Sequence, residues 1–337
     1  MSSSRLRSIV QYIFIFGLTI ALVWYSLRGI QGEQNKWDYL KNAWAEADKG
    51  WLMLMAFVAI ASHVVRAMRW RMLMVTAGHA HQQLSHSFLS LMVGYFINLL
   101  IPRGGELSRC FNLYKLNRTP VEISFGTVIV ERIVDVICLL ILIIISFILE
   151  SRKLFAFIDT LPFGTGSGES RLYILLIVGV VGIVLVWIVY GLIQRNAKIK
   201  DFITKKWVGF KDGLLSVFRL KNKKLFIFYS LLIWALYFFM SYTVIMAFEA
   251  TSVLGWSAVL SLFAVGAIAM AAPLPGGTGS YHLLVPQSLI FLYHVPEADA
   301  VAFTFIFHGW QTVIMIIGGA ISLIVTTILV RRNAGKS

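Results

Sequence analysis

Two stretches of the sequence decide the fold: residues 98–106 read NLLIPRGGE, and residues 270–279 read MAAPLPGGTG. Each ends an apolar run that is short for a membrane span, Ser87–Ile101 in the first case and Ala258–Ala272 in the second. Proline and glycine do not continue a helix cheaply, and backbone that they free at membrane depth must be buried in protein or line a cavity. Both stretches therefore predict re-entrant hairpins, in which a half-helix enters, turns at the Pro-Gly cluster and returns.

The composition around these hairpins is that of an integral membrane protein. Of the 337 residues, 58% are hydrophobic and 14% are charged, whereas a soluble domain carries about 25% charged residues. Six further runs reach the length of about 20 residues that a membrane span needs. These predicted spans are Ile9–Leu27, Trp51–Met74, Glu122–Leu149, Arg171–Ile193, Lys224–Phe248 and Asp299–Val330. The predicted fold class is an all-α integral membrane bundle of six transmembrane helices plus two re-entrant helical hairpins, in a single domain over residues 1–337.

The elements follow the same order twice along the chain. Residues 1–170 and residues 171–337 each contain a span, a second span, a hairpin and a third span. Because three spans are an odd number, the two halves have opposite orientations in the bilayer. Inverted repeats of this kind occur in secondary transporters, where broken helices in matching positions mark the substrate site. The two Pro-Gly turns are therefore predicted to form that site.

The distribution of basic residues predicts the orientation. The net charge is +14, and cytoplasmic loops of membrane proteins collect Lys and Arg. Most of the 30 basic residues fall on the cytoplasmic side only if both termini are cytoplasmic. We therefore expect a multi-pass protein of the bacterial inner (plasma) membrane. Its expected partners are membrane lipids, mainly anionic ones, rather than nucleic acid, because the basic residues flank apolar spans. A homo-oligomer is compatible with the sequence.

Residues Asn196–Lys223 combine basic and aromatic side chains. This pattern is typical of an amphipathic helix on an anionic membrane surface. A linker that only sets the topology explains the pattern equally well.

The first Pro-Gly turn has the features of an anion site. A half-helix that begins near Glu106 offers free N–H groups to an anion, and Arg103 can bind phosphate oxygens in a bidentate manner. Glycines at 104 and 105 would let the backbone approach a ligand closely. A phosphate-bearing head group fits this description. In the alternative, Glu106 caps the half-helix itself and pairs with Arg103.

Ionisable residues inside spans are costly and suggest function. Glu131 and Asp135 lie four residues apart on the third span, so both carboxylates share one helix face. They need a cation, for which Arg132, Arg103, Arg109 or a transported proton are candidates. They either couple or gate transport or form a structural ion pair that fixes this helix to the first hairpin. Arg66 and Arg69, at the end of the second span, are interpreted as snorkelling anchors, with recruitment of anionic lipids as the alternative.

His282 follows the second turn and is predicted to bind a head group or carry a proton, unless it is a structural residue. The sequence contains no phosphate-binding Walker loop, nucleophile elbow, zinc-binding HExxH helix or CxxC pair. We therefore predict a protein that is not an enzyme and that uses no cofactor or metal.

Taken in order, the segments 98–109, 131–135 and 273–279 resemble the flippase-like family defined by the transmembrane region of lysylphosphatidylglycerol synthase, the multiple peptide resistance factor. The pair Arg69-Trp70 is similar to the Arg-Trp pair of that family, and the resemblance covers nearly the whole chain. It implies a role in lipid movement. The sequence shows no aminoacyl-transferase domain like that of two-domain relatives, so synthesis of a lysyl-lipid is not expected. His282 stands where the family commonly has Glu, so the cargo of other family members cannot be assigned directly to this protein.

The predicted function is therefore a flippase or transporter for a phosphate-bearing lipid, either a phospholipid or a polyprenyl-phosphate-linked lipid. A secondary transporter of a small soluble anion and a membrane enzyme acting on polyprenyl-linked sugars are the alternatives. The predicted substrate-binding residues are Asn98, Arg103, Gly104, Gly105, Glu106, Arg109, Pro275, Gly276, Gly277, Gly279 and His282. The predicted coupling or gating residues are Glu131, Arg132 and Asp135.

Overall fold

The computed structural model describes residues 3–30, 35–160, 208–272 and 274–334. Within these ranges the regular structure is helical and no strand occurs. The helices are α1 (Ser3–Leu27), α2 (Lys36–Glu46), α3 (Lys49–Thr76), α4 (Leu84–Leu100), α5 (Gly104–Asn117), α6 (Val121–Thr160), α7 (Lys223–Met246), α8 (Glu249–Ser252), α9 (Trp256–Ala271), α10 (Ser280–Tyr293) and α11 (Glu297–Ala334). A 3-10 turn occupies Pro275–Gly277, and residues 208–215 are also helical. The all-α class is confirmed.

Four predicted spans correspond to helices that are long and apolar enough to cross a bilayer. They are α3, the part of α6 up to Glu150, α7 and α11. The backbone of α6 is not helical at Glu150, one residue beyond the predicted end of that span. The first predicted span falls within α1, which includes the apolar helical stretch from Phe14 to Leu27. The predicted span at residues 171–193 lies outside the described residues.

Both Pro-Gly segments form helix–turn–helix hairpins. In the first, α4 has 17 residues and α5 has 14, which corresponds to lengths of about 25 and 21 Å. In the second, α9 and α10 have 16 and 14 residues. All four helices are shorter than the hydrocarbon core of about 30 Å. The turns need left-handed backbone, with φ of 58° at Arg103 and 100° at Gly279.

The long helices hold the hairpins between them. α3 packs along α7, while α4 packs on α11 and α9 packs on α6. The largest core cluster joins α3, α7, α9, α10 and α11 around buried side chains such as Met55, Val244 and Leu289. In contrast, α6 and α11 carry a belt of exposed apolar side chains that includes Ile148 and Ile324. This belt is the surface expected of helices in contact with lipid.

The helix α2 was not predicted from the sequence. The side chain of Asn35 caps it by accepting a hydrogen bond from the Trp37 N–H at 3.2 Å. The hydroxyl of Tyr39 donates to the Asp299 carboxylate at 2.5 Å, and this bond ties α2 to the start of α11. The segment between the first two predicted spans thus contains a helix because a cap and one polar contact stabilise it.

Of the predicted amphipathic segment Asn196–Lys223, residues 208–223 are described. Helical residues 208–215 lie against the start of α6, where a Cβ atom added at Gly213 would clash with the carbonyl oxygen of Ile123. The rings of Phe210 and Phe125 also meet, with centroids 6.3 Å apart. The described part of the segment is therefore packed on the bundle.

Candidate functional site

Two arginines of α3 bind one carboxylate of α6. Arg66 and Arg69 share a face of α3 and contact the Asp135 carboxylate at 2.5 and 2.7 Å. Arg69 is fully buried, and Arg66 is 5% exposed. The interpretation of these arginines as snorkelling anchors is therefore wrong. Because Asp135 attracts them into the bundle, they point toward α6 instead of the membrane surface.

The second carboxylate of α6 connects to the first hairpin. Arg109 on α5 lies 2.7 Å from the Glu131 carboxylate, and Arg69 lies 3.5 Å from it. The Arg109 guanidinium also stacks 4.7 Å from the ring centroid of Trp70, a geometry typical of a cation–π contact. The Trp70 indole donates to the Thr127 hydroxyl at 2.9 Å, which holds the ring in place. Arg109 was one of the candidate cations for the two carboxylates, and its ion pair with Glu131 joins α6 to the first hairpin.

The third part of the cluster lies nearest the surface. Arg132 contacts the Glu106 carboxylate at 3.0 Å and the Asp135 carboxylate at 3.8 Å. The predicted pairing of Glu106 with Arg103 is therefore wrong, and no side-chain cap is present at the start of α5. Glu106 turns toward α6 because Arg132 offers a charged partner there.

Together these residues form the arginine cluster: Arg66, Arg69, Arg109, Arg132, Glu106, Glu131 and Asp135. Glu131 is ten residues into α6, so about 15 Å of helix separates it from the start of α6. The cluster thus lies near the middle of a span, where charged side chains are expensive. Four guanidinium groups face three carboxylates, which leaves one positive charge without a carboxylate in the cluster.

Several donors of the cluster also lack acceptors. The buried Nε–H groups of Arg66, Arg69 and Arg109 have no hydrogen-bond acceptor among the residues that the structure describes. The buried Tyr95 hydroxyl, close to Arg66, Arg109 and Arg132, has no partner there either. Such groups are costly when they stay unsatisfied. Both carboxylate oxygens of Glu131 also form no hydrogen bond, although Arg69 and Arg109 lie close to them, so the cluster contains unsatisfied acceptors as well as donors.

The turns of the two hairpins meet. Arg103 donates from Nη2 to the carbonyl oxygen of Ala271 at 2.9 Å, and a Cβ atom added at Gly276 would lie 2.8 Å from the Leu99 side chain. The structure therefore brings the turns of the two hairpins together, with Arg103 at the end of α9 and Leu99 beside Gly276. Arg103 remains exposed, with one of its donors engaged in this contact.

Gly105 in the first turn has a different use from the one predicted. Gly105 is buried against α4, and its N–H donates to the Asn98 side chain at 2.8 Å. A Cβ atom added at Gly94 would lie 2.8 Å from the Gly105 carbonyl oxygen. The expectation that Gly105 leaves its backbone open to a ligand is wrong, because close packing of α4 and α5 occupies that side. Asn98 likewise acts as a partner of the backbone.

His282 and Gly279, both predicted site residues, lie on the second turn. The His282 ring is buried, and its Nδ1 accepts the Gly279 N–H at 3.4 Å. His308 of α11 contacts the Gly276 carbonyl oxygen through Nε2 at 3.0 Å. Among the described residues, no group of three His, Cys, Asp or Glu side chains is arranged to hold a metal ion.

The model of one protein family, the lysylphosphatidylglycerol synthase TM region, matches residues 9–319. The chain belongs to this family. A UPF0104 membrane protein from Methanocaldococcus jannaschii is 33% identical over 87 residues, which are 25% of this chain and 26% of that relative. The match thus spans about a quarter of the relative's length. No solved structure matches the chain.

The lysylphosphatidylglycerol synthase TM region is a membrane protein family associated with lipid handling. In this member, the sequence-based prediction omitted Arg66, Arg69, Tyr95 and Tyr237 from the site. Tyr237 accepts a hydrogen bond from Arg66 at 2.8 Å. The signal that could have found the arginines is their spacing of three residues at the end of an apolar run, which puts both on one helix face. Two carboxylates four residues apart in another span are the matching signal for their partners. The tyrosines carry no comparable signal.

Proposed function

We propose that this protein binds a phosphate-bearing lipid and moves it across the bilayer. The arginine cluster supports the proposal because its extra positive charge and unsatisfied N–H groups suit an anion with several oxygens. Phosphate oxygens are strong acceptors for arginine. In this proposal Arg132 receives the head group at the surface and Arg109 and Arg103 hold it. Glu131 and Asp135, together with Arg132, adjust the charge during movement.

The observation that carries the proposal is the position of Arg132. Its side chain is 40% exposed, although it stands in the membrane-spanning part of α6. Its neighbours Ile133 and Val136 are 51% and 54% exposed and belong to the apolar belt. Arg132 already pairs with Glu106 and Asp135, and at a surface that faces lipid a head group can add a further charged partner. This favours a lipid head group, which would arrive laterally from the bilayer, as the ligand in preference to a soluble anion.

The packing of the hairpins supports a proposed inverted repeat of residues 1–170 and 171–337. The hairpin helix α4 contacts α11 of the other half, and its counterpart α9 contacts α6. The second helices behave alike, since α5 also contacts α11 and α10 also contacts α6. The counterparts α3 and α7 pack on each other. Exchange of the two halves thus leaves these contacts unchanged, which is expected for re-entrant hairpins that meet at midmembrane.

The remaining parts of the proposal follow from charge and from the absence of catalytic motifs. We propose that both termini are cytoplasmic in a bacterial inner membrane, on the basis of the positive-inside rule. We further propose a transport role without catalysis. The Pro275–Gly279 turn and His282 would meet the head group from the outer side.

The proposal predicts that Arg132→Gln loses bound anionic lipid. Loss of one charge-assisted hydrogen bond costs about 1.5–3 kcal/mol, so retention of the lipid is expected to fall about tenfold or more. The protein is placed in nanodiscs of phosphatidylethanolamine and phosphatidylglycerol and released for native mass spectrometry. Enrichment of phosphatidylglycerol on the wild type, relative to the nanodisc, is the expected result.

Arg332→Gln is the matched control, because Arg332 is an exposed arginine in the last turn of α11. It should retain lipid as the wild type does. Equal retention by Arg132→Gln, or no enrichment on the wild type, would contradict the proposed site. Uptake of inorganic phosphate into protein-containing vesicles, without lipid retention, would favour the transporter of a soluble anion.

A further inference from the structure

A polar cavity of about 220 Å³ leads to the second turn from the C-terminal end of α1 and the beginning of α11. Its lining includes the exposed charged side chains of Arg28 and Glu297 and the buried ring of His282. Gln287 and Tyr25 add further polar groups to the wall. A cavity of this size has room for several waters. The cavity therefore connects His282 with the surface beside Arg28 and Glu297, and it is large enough for water to enter.

The hydrogen bonds assign the tautomers of two neighbouring imidazoles. Nδ1 of His282 accepts the Gly279 N–H, so the proton of the neutral ring is on Nε2. Nε2 of His308 faces the Gly276 carbonyl oxygen, which can only accept, so this ring also carries its proton on Nε2. In both rings Nδ1 is the basic atom. The two rings lie 4.8 Å apart.

We infer that His282 is a proton-binding site, loaded through this cavity, and that protonation releases the second hairpin turn. When a proton reaches the neutral His282 ring through the cavity, Nδ1 is the ring nitrogen that can bind it, because Nε2 already carries a proton. The new N–H cannot accept from Gly279, so the bond that holds the start of α10 is lost. His308 differs, because protonation at its Nδ1 leaves the bond to Gly276 intact. The turn therefore responds to His282 specifically.

The two imidazole rings of His282 and His308 are expected to take up only one additional proton between them. Arg28, just after α1, and Glu297, at the start of α11, face the same cavity with opposite charges. His308 is the titratable group packed against the His282 ring, and two imidazolium ions at this distance would repel each other. On α6, Glu150 lies toward Tyr293 at the far end of α10. One proton per cycle is the expected stoichiometry.

The turn that would be released touches the first hairpin. The Pro275–Gly277 turn packs on α4, and Arg103 donates to Ala271 just before it. Protonation at His282 would therefore loosen the contact between the two hairpins. As a coupling mechanism for lipid movement this inference rests on the proposed function, whereas the proton-dependent release of the turn can be measured without any lipid transport.

The test is hydrogen–deuterium exchange of the peptide that covers residues 274–284, in nanodiscs, compared at acidic and neutral pH after correction for intrinsic exchange. The wild type is expected to lose protection in this peptide at acidic pH. His282→Gln, which cannot take up a proton, should show the same protection at both values. His81→Gln, a change at an exposed histidine, should respond as the wild type does.

His308→Gln is a second variant, in which His282 is still present and can still bind a proton. It provides a test even if His282→Gln does not fold. Loss of protection at acidic pH in this variant supports the assignment to His282. A wild-type turn that exchanges equally at both pH values, or a His282→Gln turn that still responds, would overturn the inference. The lipid-retention experiment with Arg132→Gln is carried out at a single pH and does not depend on His282. It therefore tests the proposed function separately from the proton-dependent release of the turn.

Discussion

Arg69→Ala is expected to lower the free energy of unfolding by about 3–5 kcal/mol, the range found when one partner of a buried ion pair is removed. The side chain is fully buried and contacts two carboxylates, Asp135 at 2.7 Å and Glu131 at 3.5 Å. Its removal leaves two acidic groups on α6 with less compensation inside the bundle. Unfolding in detergent micelles by increasing dodecyl sulfate, followed by tryptophan fluorescence, measures the change.

Arg71→Ala is the control on the same helix. Arg71 is exposed and donates to the Gln82 carbonyl oxygen at 2.7 Å, so its loss should cost about 1 kcal/mol. The double variant Arg69→Ala with Asp135→Asn should be less damaging than the sum of the single changes, because the two residues interact. Equal effects of Arg69→Ala and Arg71→Ala would show that the buried cluster does not stabilise the fold.

Gly105→Ala is expected to destabilise the first hairpin by about 1–3 kcal/mol, the usual cost of overpacking a well-packed site. The new Cβ atom would meet the carbonyl oxygen of Gly94, and backbone cannot move aside as the end of a flexible side chain can. It would also approach the side chain of Asn98, which holds the Gly105 N–H. The same unfolding experiment reports the loss.

Gly309→Ala is the matched control, since Gly309 also lies in a helix and an added Cβ atom would meet no other atom within 4 Å. This change should stabilise the protein by about 0.5–1 kcal/mol, the advantage of Ala over Gly in a helix interior. If Gly105→Ala were as stable as Gly309→Ala, the close approach of α4 and α5 would not exist in the folded protein.

Much of the fold was predictable because it depends on local signals. Apolar runs and Pro-Gly breaks are properties of a segment by itself, so the positions of α3, α7 and both hairpins could be predicted. The helix α2 was missed because its sequence is not apolar and its stability comes from the Asn35 cap and from the contact between Tyr39 and Asp299. Such a contact depends on tertiary structure.

The site was only partly predictable for the same reason. The shared face of Glu131 and Asp135 follows from a spacing of four residues, and Arg109 was among the candidate partners. The choice of Arg66 and Arg69 as partners of Asp135 depends on which face of α3 turns toward α6. The arginines also lie near the end of an apolar run, where snorkelling is the simpler interpretation. Only the packing of the bundle decides between the two.

The contact between the hairpins has a consequence for how the sequence can vary. Arg103 and His308 both bind backbone carbonyl oxygens, those of Ala271 and Gly276. Every amino acid provides a carbonyl oxygen, so the side chain at position 271 can change while the hydrogen bond survives. A substitution there needs no compensating substitution at position 103. Correlated substitutions among related sequences would therefore not reveal this contact, even though it joins residues 168 positions apart.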